Sequence, residues 1–223
     1  MKHSRREFFH QAAAGLSTAA FGGLTASSPA LAQASLTPEM ALQQLIDGNR
    51  RFAEGKMNAF DEDLSILKAK TAEKQEPFAA VLSCADSRVP VELIFDQSIG
   101  HVFVARVAGN IATSAIIASL EYGVAVLGTK AIMVLGHANC GAVKASIEAK
   151  AVPGQISGLY PYIRPAVDQA SANLDAAIKA NAKIQAALLR QSSPVFSEYL
   201  KQNRLKITAG YYDLASGSVS LLD

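Results

Sequence analysis

The sequence predicts an α/β fold: a central, mainly parallel β-sheet with flanking helices, an N-terminal helical arm and a C-terminal hairpin. Short apolar runs alternate with longer helical patterns, which is typical of strand–helix–strand units in a parallel sheet. The 223 residues, 50% of them hydrophobic, suffice for one domain with a substantial core. The last two strand patterns flank Ala215-Ser216-Gly217, a turn sequence that predicts the hairpin.

The first 32 residues are predicted to be an export signal. Arg5 and Arg6 form a twin-arginine pattern, an Ala/Gly-rich stretch covers residues 12–26, and Ala30-Leu31-Ala32 is typical of a cleavage site. The stretch is shorter than the roughly 20 residues that span a bilayer, which disfavours a membrane anchor. We expect twin-arginine export to the periplasm and a single mature domain over residues 33–223, with the helical arm at 33–76.

The charge of the mature chain is balanced. Three of the 21 basic residues and one of the 19 acidic residues lie within residues 1–32, so the remainder carries equal numbers of both. This balance gives no electrostatic reason to expect a nucleic acid or, after signal cleavage, a membrane as partner.

The elements of the mature chain follow in order from apolar periodicity, caps and breakers. A helix starts at Thr37-Pro38, where threonine caps and proline fits the first position, and a second helix covers 64–76. Pro77 then imposes an extended entry into the first strand. The helix at 112–127 is apolar on most faces, so we expect it to be buried. The predicted ranges are strands at 78–83, 101–107 and 131–135, helices at 91–95, 112–127, 143–150, 166–190 and 194–203, a loop at 152–165, and hairpin strands at 205–214 and 218–222.

Two turns at strand ends carry metal-binding residue types. Cys84 follows the first strand, and the turn after the third strand contains His137 and Cys140. The carboxyl ends of parallel strands lie at one edge of the sheet, where open α/β folds place their sites. Two thiolates and an imidazole are preferred zinc donors, and the carboxylate of Asp86 is a candidate fourth ligand. Three firm ligands and one displaceable ligand are typical of a catalytic zinc site.

Arg88 offers Asp86 an alternative partner. A guanidinium two residues away can bind the carboxylate through two hydrogen bonds and draw it off the metal. Asp86 would then orient the nucleophilic water.

The same residues leave two other possibilities open. Two cysteines in an exported protein often form a disulfide, so Cys84 and Cys140 could be bonded in a non-enzymatic protein. Either cysteine could instead be the nucleophile of a metal-free Cys-His thiol enzyme. Thiol titration tests the first possibility, and metal analysis tests the second.

Three motifs give the chain a resemblance to the β-class carbonic anhydrases: C-x-D-S-R-V at 84–89, R-x-x-G-N at 106–110 and G-H-x-x-C-G-A at 136–142. The similarity extends from the Gly48–Phe52 segment of the arm to the closing Tyr212–Val219 segment. It implies one zinc per subunit on Cys84, His137 and Cys140, with Asp86 and Arg88 as the catalytic pair. It also implies a homodimer or homotetramer, with the arm on the partner and the active site at the subunit boundary.

The resemblance also implies residues that bind substrate. Gln75 matches a glutamine that contacts bicarbonate, while Phe103 and Tyr122 match aromatic residues that line the cleft. Ordinary core packing is the alternative for these two aromatics. The backbone amide of Gly141, which opens a helix, is suited to bind the anionic product.

The sequence therefore predicts a zinc-dependent carbonate dehydratase that reversibly hydrates carbon dioxide to bicarbonate and a proton by attack of zinc-bound hydroxide. The alternative on the same scaffold is hydrolysis of a carbon dioxide analogue, carbonyl sulfide or carbon disulfide.

Overall fold

A five-stranded sheet forms the centre of the protein. The computed structural model describes residues 35–59, 61 and 64–222, with the backbone alone at 64, 66, 67 and 70. The strand order is β2-β1-β3-β4-β5. The first four strands are mutually parallel and β5 runs antiparallel to β4, which confirms the predicted α/β fold and hairpin. The strands are β1 (Ala79–Ser83), β2 (Val102–Arg106), β3 (Ala131–His137), β4 (Lys206–Tyr212) and β5 (Val219–Leu221).

Helices cover both faces of this sheet. They are α1 (Pro38–Ala53), α2 (Leu64–Thr71), α3 (Val91–Ile94), α4 (Ser114–Ala125), α5 (Gly141–Glu148), α6 (Tyr160–Gln169), α7 (Leu174–Ser192) and α8 (Pro194–Lys201), with a 3₁₀ turn at Ile156–Leu159. The predicted signal at 1–32 lies outside the described residues. Within the described part of the chain, no helix combines the length and apolar character needed to cross a bilayer.

Successive side chains of the buried strands point to alternate faces of the sheet, which divides the core into two layers. Val81 and Met133 pack with α1 and α3, whereas Leu82 and Val134 pack with α4, α7 and α8. Successive strand residues point to opposite faces, so a strand buried on both sides reads as a continuous apolar run. This pattern explains the uninterrupted hydrophobic sequences of β1 and β3.

Helix α1 packs on its own subunit. Thr37 caps it, as predicted, by accepting a hydrogen bond from the Met40 N–H at 3.2 Å. Gly48 lies so close to the loop after α3 that a Cβ there would be 1.8 Å from the Phe95 carbonyl oxygen. Within the subunit, this helix contacts α3, β1 and β3, and its packing on a partner subunit stays a prediction.

Two predicted helical regions differ from the structure. Helix α6 begins at Tyr160, inside the segment predicted as a loop at 152–165, and it tolerates Pro161 near its start and also includes Pro165. The predicted helix at 166–190 is divided because Ser171 and Ala172 adopt positive φ and Asn173 caps a new helix, α7. Within the single chain, helix α4 is buried on one face only: Leu120, Gly123 and Val124 face the core, while Tyr122 is 48% exposed.

Candidate metal centre

Cys84 follows directly after β1 and is held through both its side chain and its backbone. The Gly109 N–H donates to Cys84 Sγ at 3.3 Å. The Arg106 guanidinium donates to the Cys84 carbonyl at 2.9 Å and to the Asp86 carbonyl at 2.6 Å. The thiol is buried, so these contacts fix the position of the sulfur at the carboxyl edge of the sheet.

His137 is the last residue of β3, and not a residue of the turn as predicted. The strand continues through Gly136 because Gly136 and His137 pair with Tyr211 and Tyr212 of β4. His137 Nδ1 lies 2.9 Å from the Ala138 carbonyl oxygen. A carbonyl only accepts hydrogen bonds, so Nδ1 carries the proton and the lone pair is on Nε2.

Cys140 occupies the N-cap position of α5, although its side chain makes no capping hydrogen bond. The backbone N–H groups of Val143 and Ala142 in the first turn act to lower the pKa of its thiol. The thiol is nevertheless buried beside Cys84, and the hydrogen bond between the two thiols and the burial together raise the pKa of Cys140. That same hydrogen bond is the main reason that the pKa of Cys84 is lowered. Two adjacent buried sulfurs are a suitable pair of donors for a soft or borderline cation.

The three predicted ligands converge at one point. One ligand atom from each of Cys84, His137 and Cys140 lies within 4.8 Å of the others, and all three residues are buried. His137 is 0% exposed and its Nε2 has no hydrogen-bond partner in the described structure. A buried polar atom without a partner is costly, and a metal ion would satisfy it. Two sulfurs and one such nitrogen therefore fit zinc. Both thiols are free, so the alternative of a Cys84–Cys140 disulfide is wrong.

Asp86 lies beside this cluster but is bound to Arg88. Arg88 Nε donates to Oδ1 at 2.9 Å and Nη2 donates to Oδ2 at 2.7 Å. These side-chain hydrogen bonds are the main reason that the pKa of Asp86 lies well below its usual value. Asp86 Oδ2 is 3.9 Å from His137 Nε2. Of the two positions predicted for Asp86, the structure shows the one paired with arginine, and its role as a fourth ligand stays a prediction.

Three of the four predicted substrate-binding residues lie away from the cysteines of their own subunit. Gln75 precedes β1 whereas Cys84 follows it, so the five-residue strand separates them by more than about 15 Å at 3.3 Å per residue. Phe103 pairs with Ala80 near the amino end of β1. Its ring centroid lies 6.4 Å from that of Tyr122. Only Gly141, next to Cys140 at the start of α5, lies at the site of its own subunit.

Two further residues position the metal cluster without having been predicted to do so. Arg106 and Gly109 belong to the R-x-x-G-N motif, which carries part of the family resemblance but was not predicted to act at the metal site. The positive φ of Gly109, 78°, is the signal that a glycine is required there.

Comparison with known proteins is consistent with this geometry. A protein-family model described as carbonic anhydrase matches residues 79–219. Carbonic anhydrase 2 of Mycobacterium tuberculosis is 34% identical over 197 residues, which cover 83% of this chain and 93% of that protein. A Coccomyxa β-carbonic anhydrase, solved in complex with acetazolamide, is 29% identical with a TM-score of 0.64, covering 81% of this chain and 86% of that one. One of two tetrameric β-carbonic anhydrases from Sordaria macrospora shares the fold, with 22% identity, a TM-score of 0.65 and coverage of 81% and 96%.

Proposed function

The chain belongs to the β-class carbonic anhydrases, whose members are carbonate dehydratases, and on this premise we propose that it is a zinc enzyme that interconverts carbon dioxide and bicarbonate. One observation carries the proposal: the buried Cys84–His137–Cys140 cluster, with an unpartnered imidazole nitrogen, lies beside the Asp86–Arg88 pair. Each subunit holds one zinc ion through the two sulfurs and His137 Nε2. When bound, zinc supplies the Lewis acidity that activates a water molecule as the nucleophile near neutral pH.

The residues around the cluster orient the nucleophile. Asp86 stays ionised because Arg88 lowers its pKa, so its carboxylate only accepts hydrogen bonds. It accepts one from the attacking water and fixes the direction of the oxygen lone pair. Arg88 is the positioning residue in this arrangement, since it holds the carboxylate by two parallel hydrogen bonds. The N-terminus of α5 at Gly141 favours the anionic product through its backbone amides.

A second copy of the chain completes the substrate pocket. Gln75, Phe103 and Tyr122 lie far from the cluster of their own subunit, yet Gln75 and Tyr122 are exposed. We propose a homodimer, with a homotetramer as the larger form, in which these three residues line the partner's site. The two aromatic rings provide an apolar wall for linear, uncharged carbon dioxide, and the Gln75 amide binds bicarbonate.

The proposed location is the periplasm. It rests on the twin-arginine pattern and the cleavage sequence of residues 1–32. The full chain should yield a shortened protein in the periplasmic fraction of its host, and replacement of Arg5 and Arg6 by lysine should retain it in the cytoplasm. Periplasmic protein from the lysine variant would contradict the assignment.

Metal content and hydration rate test the function together. Purified mature protein should bind one zinc per subunit and hydrate carbon dioxide. Cys84→Ser and His137→Ala should each lose zinc and activity. His101 directly precedes the amino end of β2, so His101→Ala should keep both. Zinc-replete, fully active Cys84→Ser protein would contradict the proposal. Carbonyl sulfide and carbon disulfide are tested on the same sample, and faster hydrolysis of either would favour the sulfur-analogue enzyme.

Mixed dimers test the shared pocket. Cys84→Ser and Gln75→Ala proteins should each be impaired alone. A mixed dimer contains one site with both native residues, the cysteine from one subunit and the glutamine from the other. Co-refolding the two variants should therefore restore activity, whereas two Cys84→Ser chains should not. No recovery in verified mixed dimers would overturn the boundary placement.

A further inference from the structure

The loop between β2 and α4 presents one amide to a metal ligand. Gly109 and Asn110 have φ values of 78° and 45°, in the left-handed region. A Cβ on Gly109 would lie 2.8 Å from Ile163 Cδ1, so the loop has no room to move towards α6. In this conformation the Gly109 N–H donates to Cys84 Sγ at 3.3 Å. The backbone conformation at Gly109 therefore decides whether Cys84 Sγ receives this hydrogen bond.

Two buried side-chain amides on α7 hold this loop in place. Asn181 Nδ2 donates to the Gly109 carbonyl at 2.8 Å. Gln185 Oε1 accepts from the Ala112 N–H at 2.9 Å. The two side chains are one helical turn apart and each is 1% exposed. Helix α7 thus binds the loop at both ends of its left-handed segment.

The two amides also fix each other's orientation. Gln185 Nε2 donates to Asn181 Oδ1 at 3.3 Å and to the Tyr162 carbonyl of α6 at 3.0 Å. Because Gln185 Nε2 makes both of these bonds, Gln185 Oε1 must face the Ala112 N–H. Because Asn181 Oδ1 accepts from Gln185, Asn181 Nδ2 must face the Gly109 carbonyl. A network satisfied in this way is rigid, and it costs more to break than a single surface hydrogen bond.

We propose that Asn181 and Gln185 are positioning residues for the metal centre, which aim the Gly109 N–H at the Cys84 sulfur and thereby strengthen and tune the binding of zinc. The proposal rests on the proposed zinc site. Neither residue touches the cluster, and each acts only through the backbone of the loop. Outer-shell hydrogen bonds of this kind orient a ligand, and their loss typically weakens metal binding by about 10- to 100-fold.

The test measures metal binding and not turnover. In Asn181→Leu, a side chain of similar size lacks the donor to Gly109. The zinc dissociation constant, measured by competition with a chromophoric chelator, should rise about 10- to 100-fold. In the cobalt(II)-substituted protein, the thiolate-to-cobalt charge-transfer band should move to longer wavelength, because a sulfur without its N–H donor holds its lone pair less tightly. Gln185→Met should change both quantities in the same direction.

Ser193→Ala is the matched control. Ser193 is also buried, donates to Glu121 Oε1 and caps α8 by accepting from the Phe196 N–H, but it does not contact the loop. It should lower the unfolding temperature while leaving the dissociation constant and the cobalt band unchanged. Asn181→Leu protein that is less stable but keeps both parental values would overturn the proposal, and Gln185→Met decides by the same readouts if Asn181→Leu does not fold. Parent protein that binds no zinc would instead refute the proposed function itself.

Discussion

Replacing Arg88 by alanine should abolish most turnover without removing the metal. Arg88 makes three hydrogen bonds to Asp86, two from its guanidinium and one from its backbone N–H at 2.9 Å. Alanine keeps only the backbone bond, which ends at Oδ1. Oδ2 would lose its Arg88 donor while lying 3.9 Å from His137 Nε2.

The size of the effect follows from these distances. Asp86 Oδ2 already lies 3.9 Å from His137 Nε2, so without its arginine partner the carboxylate is free to turn towards the three-ligand cluster. A released Asp86 no longer holds the attacking water in one direction, and a misplacement of about 1 Å costs roughly 100-fold in rate. We expect kcat to fall by about that factor. Zinc content should stay at the parental level, because Cys84, His137 and Cys140 are untouched.

The assay is stopped-flow hydration of carbon dioxide with a pH indicator, alongside elemental analysis of zinc in the same preparation. Arg50→Ala is the control. Arg50 lies on the exposed face of α1, away from the cluster, and its Nη2 pairs with Asp47 Oδ1 at 2.8 Å. Arg88→Lys should be intermediate, because an ammonium group cannot form the two parallel bonds. A parental kcat in Arg88→Ala, or loss of its zinc, would refute the reasoning.

Three further predictions concern stability. Burial acts to raise the pKa of Asp96, but hydrogen bonds from the Ala59 N–H and from Arg51 outweigh it and lower the pKa. Asp96→Asn should therefore lower the free energy of unfolding in urea by about 2 kcal/mol at pH 7. This difference between variant and parent should shrink as the pH falls below the unfolded-state pKa of about 4, because the parent's carboxylate then protonates. A constant difference down to pH 2 would contradict the prediction. Gly48→Ala should lower the thermal midpoint by several degrees, measured by circular dichroism, because its Cβ would lie 1.8 Å from the Phe95 carbonyl oxygen; an unchanged midpoint would contradict the close packing of α1. Removing zinc with a chelator should also lower the midpoint, and adding it back should restore it, because only the folded protein has the three-ligand cluster; equal midpoints with and without zinc would count against the site.

The sequence predicted the sheet and the metal ligands because both depend on local patterns. The apolar run of β1 and the turn residues after it define a strand end, and the same holds for β3 and Cys140. Parallel pairing then brings these ends together without further information. The three candidate ligands therefore meet as the sequence predicts, although β3 continues to His137 through its pairing with β4.

The remaining differences arise from contacts between distant segments. Helix α6 was missed because Pro161 and Pro165 mark breaks in most sequences, yet here one lies near the helix start. Asn181 and Gln185 read as ordinary polar residues of a helix, and only the tertiary structure brings them to the loop at Gly109. The separation of Gln75 from Cys84 depends on the strand β1 that lies between them, which a motif position does not encode.

Zinc titration of metal-free mature protein, with bound zinc and carbon dioxide hydration measured on each sample, tests the central claim most directly. We predict that the hydration rate rises in proportion to bound zinc and stops rising at one ion per subunit. Full hydration by the metal-free protein, or no hydration by protein that carries one zinc per subunit, would contradict it.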